Sequence, residues 1–142
     1  MLAHFAILRS AQAAQSPGIQ NVNEFNTPFQ RTFHLQIDTD RFADTEYFDI
    51  PAGKTLVVEF VSAKADLPAG EQPINLAILS PNFVHSLIWN FQGSENEKDI
   101  FVGAQQIRLY AVDQIGVTVS RNNSEGFASI NAHVTGYLVN TP

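Results

Sequence analysis

The chain has 142 residues, 44% of them hydrophobic and only 15% charged, and its net charge at neutral pH is −6. This length is enough for one domain that buries a core of its own. Acidic side chains outnumber basic ones, 14 against 8, which predicts no binding to nucleic acid and no attachment to an anionic membrane, because both need a basic surface. Since the sequence has no cysteine, disulfides and cysteine nucleophiles are excluded. No apolar run reaches the roughly 18 residues of a membrane-spanning helix, so no membrane insertion is expected.

The N-terminal residues 1–18 are predicted to form a segment apart from a β-rich domain of residues 19–142. Leu2–Leu8 is a short apolar stretch, and Ala11–Ala13 fits the small-x-small pattern before a signal-peptidase cut. The basic residues that normally precede such a stretch are missing. One interpretation is the remnant of a signal peptide, which makes the protein secreted or periplasmic. The other is an ordinary helix or extended arm, which leaves a cytoplasmic location open.

The chain after Gly18 shows the patterns of strands and turns. Arg31–Asp38 alternates cleanly, so that Phe33, Leu35 and Ile37 face one way. Thr55–Ala63 is too uniformly apolar for a half-exposed strand, and we expect it in the middle of a sheet. The other elements predicted in this half are a strand at Thr45–Ile50, a turn at Pro51–Gly53 and a loop at Asp66–Pro73.

The second half is also predicted to consist of short strands and polar loops. The predicted strands are Ile74–Leu79, Phe83–Phe91, Ile100–Val102, Gln106–Val112, Ile115–Arg121 and Phe127–Val139, the last being the longest. The predicted loops are Gln92–Asp99, the most polar run, and Asn122–Gly126, of hairpin type. Because no helices lie between the strands, the sheets should be antiparallel. The predicted fold is all-β: a single antiparallel β-sandwich or jelly roll of about eight strands, with a closed barrel less favoured.

Four segments resemble a group of small bacterial proteins of unknown function that have an export signal and one β-rich domain. They are NTPFQ (Asn26–Gln30), IPAGKTLVVEFVSA (Ile50–Ala63), QQIRLYA (Gln105–Ala111) and VTGYLV (Val134–Val139). The group is similar in an IPAGK-LVIE-VS strand, a Q-RLYA strand and a terminal SGYLV. The resemblance covers about residues 21–139 and implies an exported sandwich domain. It brings no catalytic or binding residues with it.

An acidic cluster is the first candidate for a metal site. Asp38, Asp40 and Asp44 lie close together in the sequence, and Asp-x-Asp loops at sandwich edges supply the oxygen ligands that calcium prefers. The spacing does not fit an EF-hand, and Arg41 lies within the cluster and would compete for the carboxylates. The alternative is a solvated acidic loop. Calcium is the cofactor that this cluster would bind.

Histidines give a second candidate for a metal site. His34, His85 and His133 could converge in space, but the sequence lacks the His-x-His pair of a cupin-type site. The plainer interpretation is that each histidine lies on the polar face of its strand.

Glu59 interrupts an otherwise apolar strand. If its carboxylate is buried it must be paired, and Arg108 is the suggested partner in a structural ion pair. The alternatives are a side chain that reaches the rim of the sheet, or a catalytic carboxylate. The sequence contains no Gly-x-Ser-x-Gly elbow, no Walker A loop and no dinucleotide-binding fingerprint. The protein is therefore predicted not to be an enzyme.

Aromatic residues support a binding hypothesis. Alternation places Tyr110 on the polar face of its strand with Gln106 and Arg108, so these three residues form the candidate ligand site. Tyr47 and Tyr137 are further candidates for an exposed aromatic residue. Trp89 shares a face with Leu87 and Phe91 in the predicted strand, and this placement favours a core position.

The predicted function is a non-enzymatic, exported β-sandwich that acts as a binding or assembly module. A binding module would take a polysaccharide, calcium or a protein partner, and an assembly module would form a homo-oligomer. The alternatives are a viral or phage jelly-roll subunit and, from another class, a small hydrolase or isomerase, which would need converging titratable groups.

Overall fold

The computed structural model describes residues 26–142, which contain nine β-strands and no helix. The strands are β1 (Thr27–Ile37), β2 (Ala43–Asp49), β3 (Lys54–Pro68), β4 (Pro73–Ser80), β5 (Phe83–Ser86), β6 (Asn90–Glu95), β7 (Lys98–Ala111), β8 (Gln114–Arg121) and β9 (Ala128–Asn140). They form a five-stranded sheet in the order β1-β9-β3-β7-β6 and a four-stranded sheet in the order β2-β8-β4-β5. Every pairing is antiparallel.

The connections identify the arrangement of the two sheets. Only β4–β5 and β6–β7 join neighbours within one sheet, and every other connection crosses to the opposite sheet. Without β6, the two four-stranded layers have the order of a jelly roll, which is two interlocked Greek keys. The predicted all-β sandwich with antiparallel sheets is confirmed.

The core lies between the sheets and is built from alternating residues of both. The alternation predicted for β1, β8 and β9 is confirmed, because their inward residues are buried. The largest contributors from the five-stranded sheet are Phe33, Leu35, Ile37, Leu56, Leu67 and Ile130, and those from the four-stranded sheet are Leu76, Ile78, Ile115, Val117 and Val119.

Strand β3 is the middle strand of its sheet, as its apolar composition predicted. A bulge at Glu59 changes which residues of β3 face the core. Leu56 and Val58 point inward before the bulge, and Val61 and Ala63 point inward after it. One extra residue shifts the alternation by one position. This shift explains much of the continuous apolar run, which had indicated burial of both faces.

The predicted strand Phe83–Phe91 is wrong, because the chain changes sheets within it. β5 ends at Ser86 in the four-stranded sheet, and β6 begins at Asn90 in the five-stranded sheet. The crossing residues keep an inward and an outward side: Leu87 is buried and Ile88 is 76% exposed. The alternation in the sequence therefore continues across a point where the strand pairing does not.

The segment Gln92–Asp99 was predicted to be an exposed loop. Most of its side chains are exposed, but the prediction of a loop is wrong. It forms most of β6 and the start of β7, joined by a tight turn. Asn96 and Glu97 occupy the turn with φ of 51° and 61°, as in the two-residue hairpins that match sheet twist. The strands predicted at Ile100–Val102 and Gln106–Val112 are one continuous strand, β7.

Three smaller differences concern strand ends and loops. β3 continues to Pro68, into the predicted loop Asp66–Pro73, and is longer than β9. The segment Asn122–Gly126 is not a hairpin loop, because β8 and β9 belong to different sheets.

Side chains close the side of the sandwich where β1 and β2 meet. The Glu46 carboxylate accepts a hydrogen bond from the backbone N–H of His34 at 2.7 Å, and Asp44 accepts one from the N–H of Gln36 at 3.1 Å. The guanidinium of Arg31 lies 3.3 Å from Glu46. Backbone donors of an edge strand are therefore satisfied by carboxylates, one way in which proteins block an edge.

Candidate functional site

The residues predicted to bind a ligand, Gln106, Arg108 and Tyr110, lie on the outer face of β7. All three are exposed, Tyr110 by 54%. The residues between them, Ile107 and Leu109, are partly buried against the core. The sheet therefore presents these three polar and aromatic side chains to solvent in one line.

Two further aromatic side chains lie beside this line on neighbouring strands. Phe60 of β3 pairs with Gln106, and Val57 pairs with Tyr110 on one side and Tyr137 of β9 on the other. Val57 is only 2% exposed on this outer face, and its cross-strand tyrosines are close enough to cover it. We call Phe60, Tyr110 and Tyr137 the aromatic patch.

The exposure of Phe60 was not predicted from the sequence. Simple alternation from Val58 places Phe60 inside, but the bulge at Glu59 turns it outward, where it is 40% exposed. Predicting its position would have required predicting the bulge. Glutamate between apolar neighbours was the one available signal.

Glu59 and Arg108 form an ion pair, with 3.7 Å between the guanidinium and the carboxylate. Their side chains are 46% and 65% exposed, so water screens the charges. The pair lies at the bulge, next to the aromatic patch. The pair therefore lies on a solvated sheet surface, and the Glu59 carboxylate is not buried.

Polar side chains continue the outer face away from the aromatic patch. Thr32 and His133 share a hydrogen bond of 2.8 Å, and His34 and Asn131 share one of 2.6 Å. The face extends along β9 from Tyr137 to Ser129, a separation of eight positions or about 27 Å. At its far end an open groove of about 320 Å³ is lined by Lys64, Asp66, Glu95, Asn96, Lys98, Ile100, Phe127 and Ser129.

The acidic residues predicted as calcium ligands have other contacts. Asp44 accepts the Gln36 N–H and lies 3.5 Å from the guanidinium of Arg41. Asp38 is engaged through its backbone carbonyl, and Asp40 has a left-handed backbone conformation with φ of 71°. Within residues 26–142, no group of three or more histidine or carboxylate side chains is arranged to hold a metal ion.

The three described histidines are divided between two surfaces. His34 and His133 are exposed on the outer face of the five-stranded sheet, whereas His85 is half-buried on β5 of the four-stranded sheet. Trp89 packs against the core, in line with the prediction, but Phe91 is 57% exposed. His85 Nε2 and Trp89 Nε1 are buried with no hydrogen-bond partner among the described residues.

Among the described strands, part of one edge of β7 has no strand partner. β6 pairs with it only as far as Val102, so residues 103–111 have a strand partner, β3, on one side alone. The Asn82 side chain donates to the carbonyl of Tyr110 at 3.0 Å, and the backbone of Ile88 approaches Gly103. Between these two contacts no described strand covers β7. We call residues 104–109 the open edge.

No protein-family model matches the sequence, and no curated protein matches it. The resemblance to exported bacterial sandwich proteins therefore stays a prediction. The predicted N-terminal segment, residues 1–18, lies outside the described residues, as does His4. In residues 26–142 no helix suited to crossing a membrane is present.

Proposed function

We propose that the protein is a non-enzymatic binding module whose ligand is a polysaccharide, held on the outer face of the five-stranded sheet. The observation that carries this proposal is the aromatic patch beside Gln106 and Arg108. Rings lying on a pleated sheet offer flat apolar surfaces, while amide and guanidinium groups offer hydrogen bonds to hydroxyls. Sugars need both, because one ring carries apolar C–H faces and polar edges.

The shape of the face supports a polymer over a single sugar. The polar strip extends about 27 Å from the aromatic patch, and the groove containing Phe127 lies at its far end. A surface that is long, shallow and uncovered suits an extended chain. A small ligand would instead need an enclosing pocket.

Tyr110→Ala tests the proposal. Purified protein is run through native gels containing xylan, β-glucan, chitosan or alginate, and retardation is measured. We expect the parent to be retarded by at least one of them and Tyr110→Ala to bind at least about tenfold more weakly, equivalent to 1.4 kcal/mol.

The matched control is Tyr47→Ala, which removes a tyrosine of similar exposure, 50%, from the outer face of the other sheet. It should bind like the parent. Equal losses for both variants, or no retardation of the parent by any of the four polymers, would contradict the proposal.

We propose assembly through the open edge as a second candidate function. Two facts favour it: the carboxylates of Asp44 and Glu46 accept backbone N–H groups of the β1 edge, whereas no described residue covers residues 104–109 of β7 in this way. Unpaired backbone donors and acceptors on a long strand are a template for pairing with another chain. Two copies joined edge to edge would form a closed dimer.

Light scattering on a sizing column tests the assembly candidate. The parent should have twice the 15.7 kDa mass of the chain, and Ala104→Lys, which adds a charge at the open edge, should be monomeric. Ala43→Lys, at an exposed position of β2, should stay dimeric. A monomeric parent at 100 µM would exclude this candidate.

A further inference from the structure

A second cavity lies away from the aromatic patch, between the β3–β4 loop and the β6–β7 hairpin. It has a volume of about 320 Å³ and is lined by Gly70, Glu71, Gln72, Phe91, Asp99 and Phe101. This volume is at the lower end of the range for small-molecule sites.

One wall of the cavity is aromatic. The Phe91 ring is tilted against the Phe101 ring, with 5.4 Å between their centroids. Phe101 is buried at 8% exposure, while Phe91 stays 57% exposed. The Phe91 ring therefore packs against Phe101 on one side and is open to solvent on the other.

The other wall is acidic and contains an unsatisfied acceptor. Glu71 is 3% exposed, and its Oε2 atom accepts a hydrogen bond from the buried Arg121 at 3.0 Å. Its Oε1 atom is buried with no partner among the described residues. A buried acceptor without a donor costs free energy, so this oxygen is the position where a ligand donor or a water would stabilise the site.

Asp99 adds a second carboxylate, fixed in position. It accepts hydrogen bonds from the Ser94 hydroxyl at 2.6 Å and from the Gly70 N–H at 2.8 Å. Both bonds lower the pKa of Asp99 from its ordinary value, and the bond from Ser94 has the larger effect. The wall then has two carboxylates against the one guanidinium of Arg121, which leaves an excess of one negative charge.

From this arrangement we infer that the cavity binds a small organic cation: an ammonium group on an apolar body. The ammonium donates to the carboxylates of Asp99 and Glu71, and the apolar body lies on Phe91. A cation near an aromatic face gains further attraction from the ring electrons. An anion would meet the excess negative charge and is excluded.

The test compares three molecules of similar size by NMR titration of the full chain: 2-phenylethylamine, 2-phenylethanol and phenylacetate. We expect saturable shifts in the amide signals of Gly70 and Gln72 with the amine, at least tenfold weaker binding of the alcohol, and none of phenylacetate. Equal binding of amine and alcohol would overturn the proposal. Absence of amine binding would also overturn it and leave water as the occupant.

Two variants locate the binding site without disturbing the buried ion pair. Phe91→Ala and Asp99→Asn should each weaken amine binding at least tenfold. Phe42→Ala removes a ring of similar exposure, 56%, that does not line the cavity, and it should bind the amine like the parent. Thermal melting of each variant confirms that it is folded. Unchanged amine binding by both folded cavity variants would overturn the proposed location.

Discussion

The guanidinium of Arg121 joins the loops at one end of the sandwich. It is 1% exposed and donates to the carbonyls of Asp38 and Arg41 in one loop and of Glu125 and Gly126 in another. Its ion pair with Glu71 fixes a third loop. Five N–H donors in a planar fork make arginine the residue suited to such a junction.

Arg121→Met should destabilise the fold by about 3–5 kcal/mol, because it leaves the Glu71 carboxylate buried and unpaired. Adding Glu71→Met should recover only part of this loss, since the loop carbonyls still lack their donor. Urea denaturation measures both changes. Arg108→Met, which breaks an exposed pair, is the control and should cost less than about 1 kcal/mol; a similar cost for both arginines would refute the prediction.

Asp99 should make stability depend on pH in the acid range. Its pKa is lowered in the folded protein, so its ionised form stabilises the fold above the pKa of an unfolded aspartate, about 3.9. This stabilisation is lost as the pH falls through the folded-state value. Asp99→Asn should therefore melt at a lower temperature than the parent at pH 7, with the difference reduced at pH 2. Asp49→Asn is the control, because it makes the same change in net charge. If the difference in melting temperature between Asp99→Asn and the parent did not change with pH, Asp99 would not be the group responsible.

At the scale of the element, alternation predicted the strands that stay in one sheet. Over Phe33–Ile37 of β1, Ile115–Arg121 of β8 and Ala128–Val134 of β9, every second residue is buried, and a period of two is visible in the sequence. The crossing from β5 to β6 was not visible, because Leu87 and Trp89 keep the same alternation while the chain changes its hydrogen-bonding partners. Pairing is a non-local property that a local pattern does not report.

The candidate ligand site was predicted in part for the same reason. Tyr110, Arg108 and Gln106 lie on an unbroken alternating strand, and their exposed line follows from sequence alone. Phe60 and Tyr137 join them only through the register of β3 with β7 and β9. The cavity at Phe91 was not predicted, because it depends on the sheet change that precedes β6.

Gly136 permits the close approach of β9 to β3 beside the bulge. A Cβ atom at this position would overlap the carbonyl oxygen of Val57, which is backbone and cannot rotate away. Gly136→Ala should destabilise the fold by about 3 kcal/mol or more, because the central strand pair must separate. In Gly116→Ala the added atom meets the ring of exposed Tyr47, which can swing aside. Urea denaturation should show a smaller loss in the free energy of unfolding for Gly116→Ala than for Gly136→Ala. Equal losses for the two variants would contradict this explanation.

The whole molecule should unfold in one step, since both sheets share a single core. The chain has one tryptophan, Trp89, in the segment that crosses between the sheets. Its fluorescence therefore reports separation of the sheets, while circular dichroism reports loss of strands. We expect both signals to give the same urea midpoint. A fluorescence midpoint at a lower urea concentration than the circular dichroism midpoint would mean that the side containing β5 and β6 unfolds first.

The unequal protection of the two sides limits how far the molecule can grow by strand pairing. A fibre forms only if each copy has two unpaired strand edges, because a third copy must pair with the second. Here carboxylates occupy one end, β5 has only four residues, and β6 is bent by a bulge near Gly93. Among the described strands of the five-stranded sheet, this leaves residues 104–109 of β7 as the stretch without such protection. If copies pair through that stretch, as proposed, this sheet offers no second equivalent stretch at which a third copy could join.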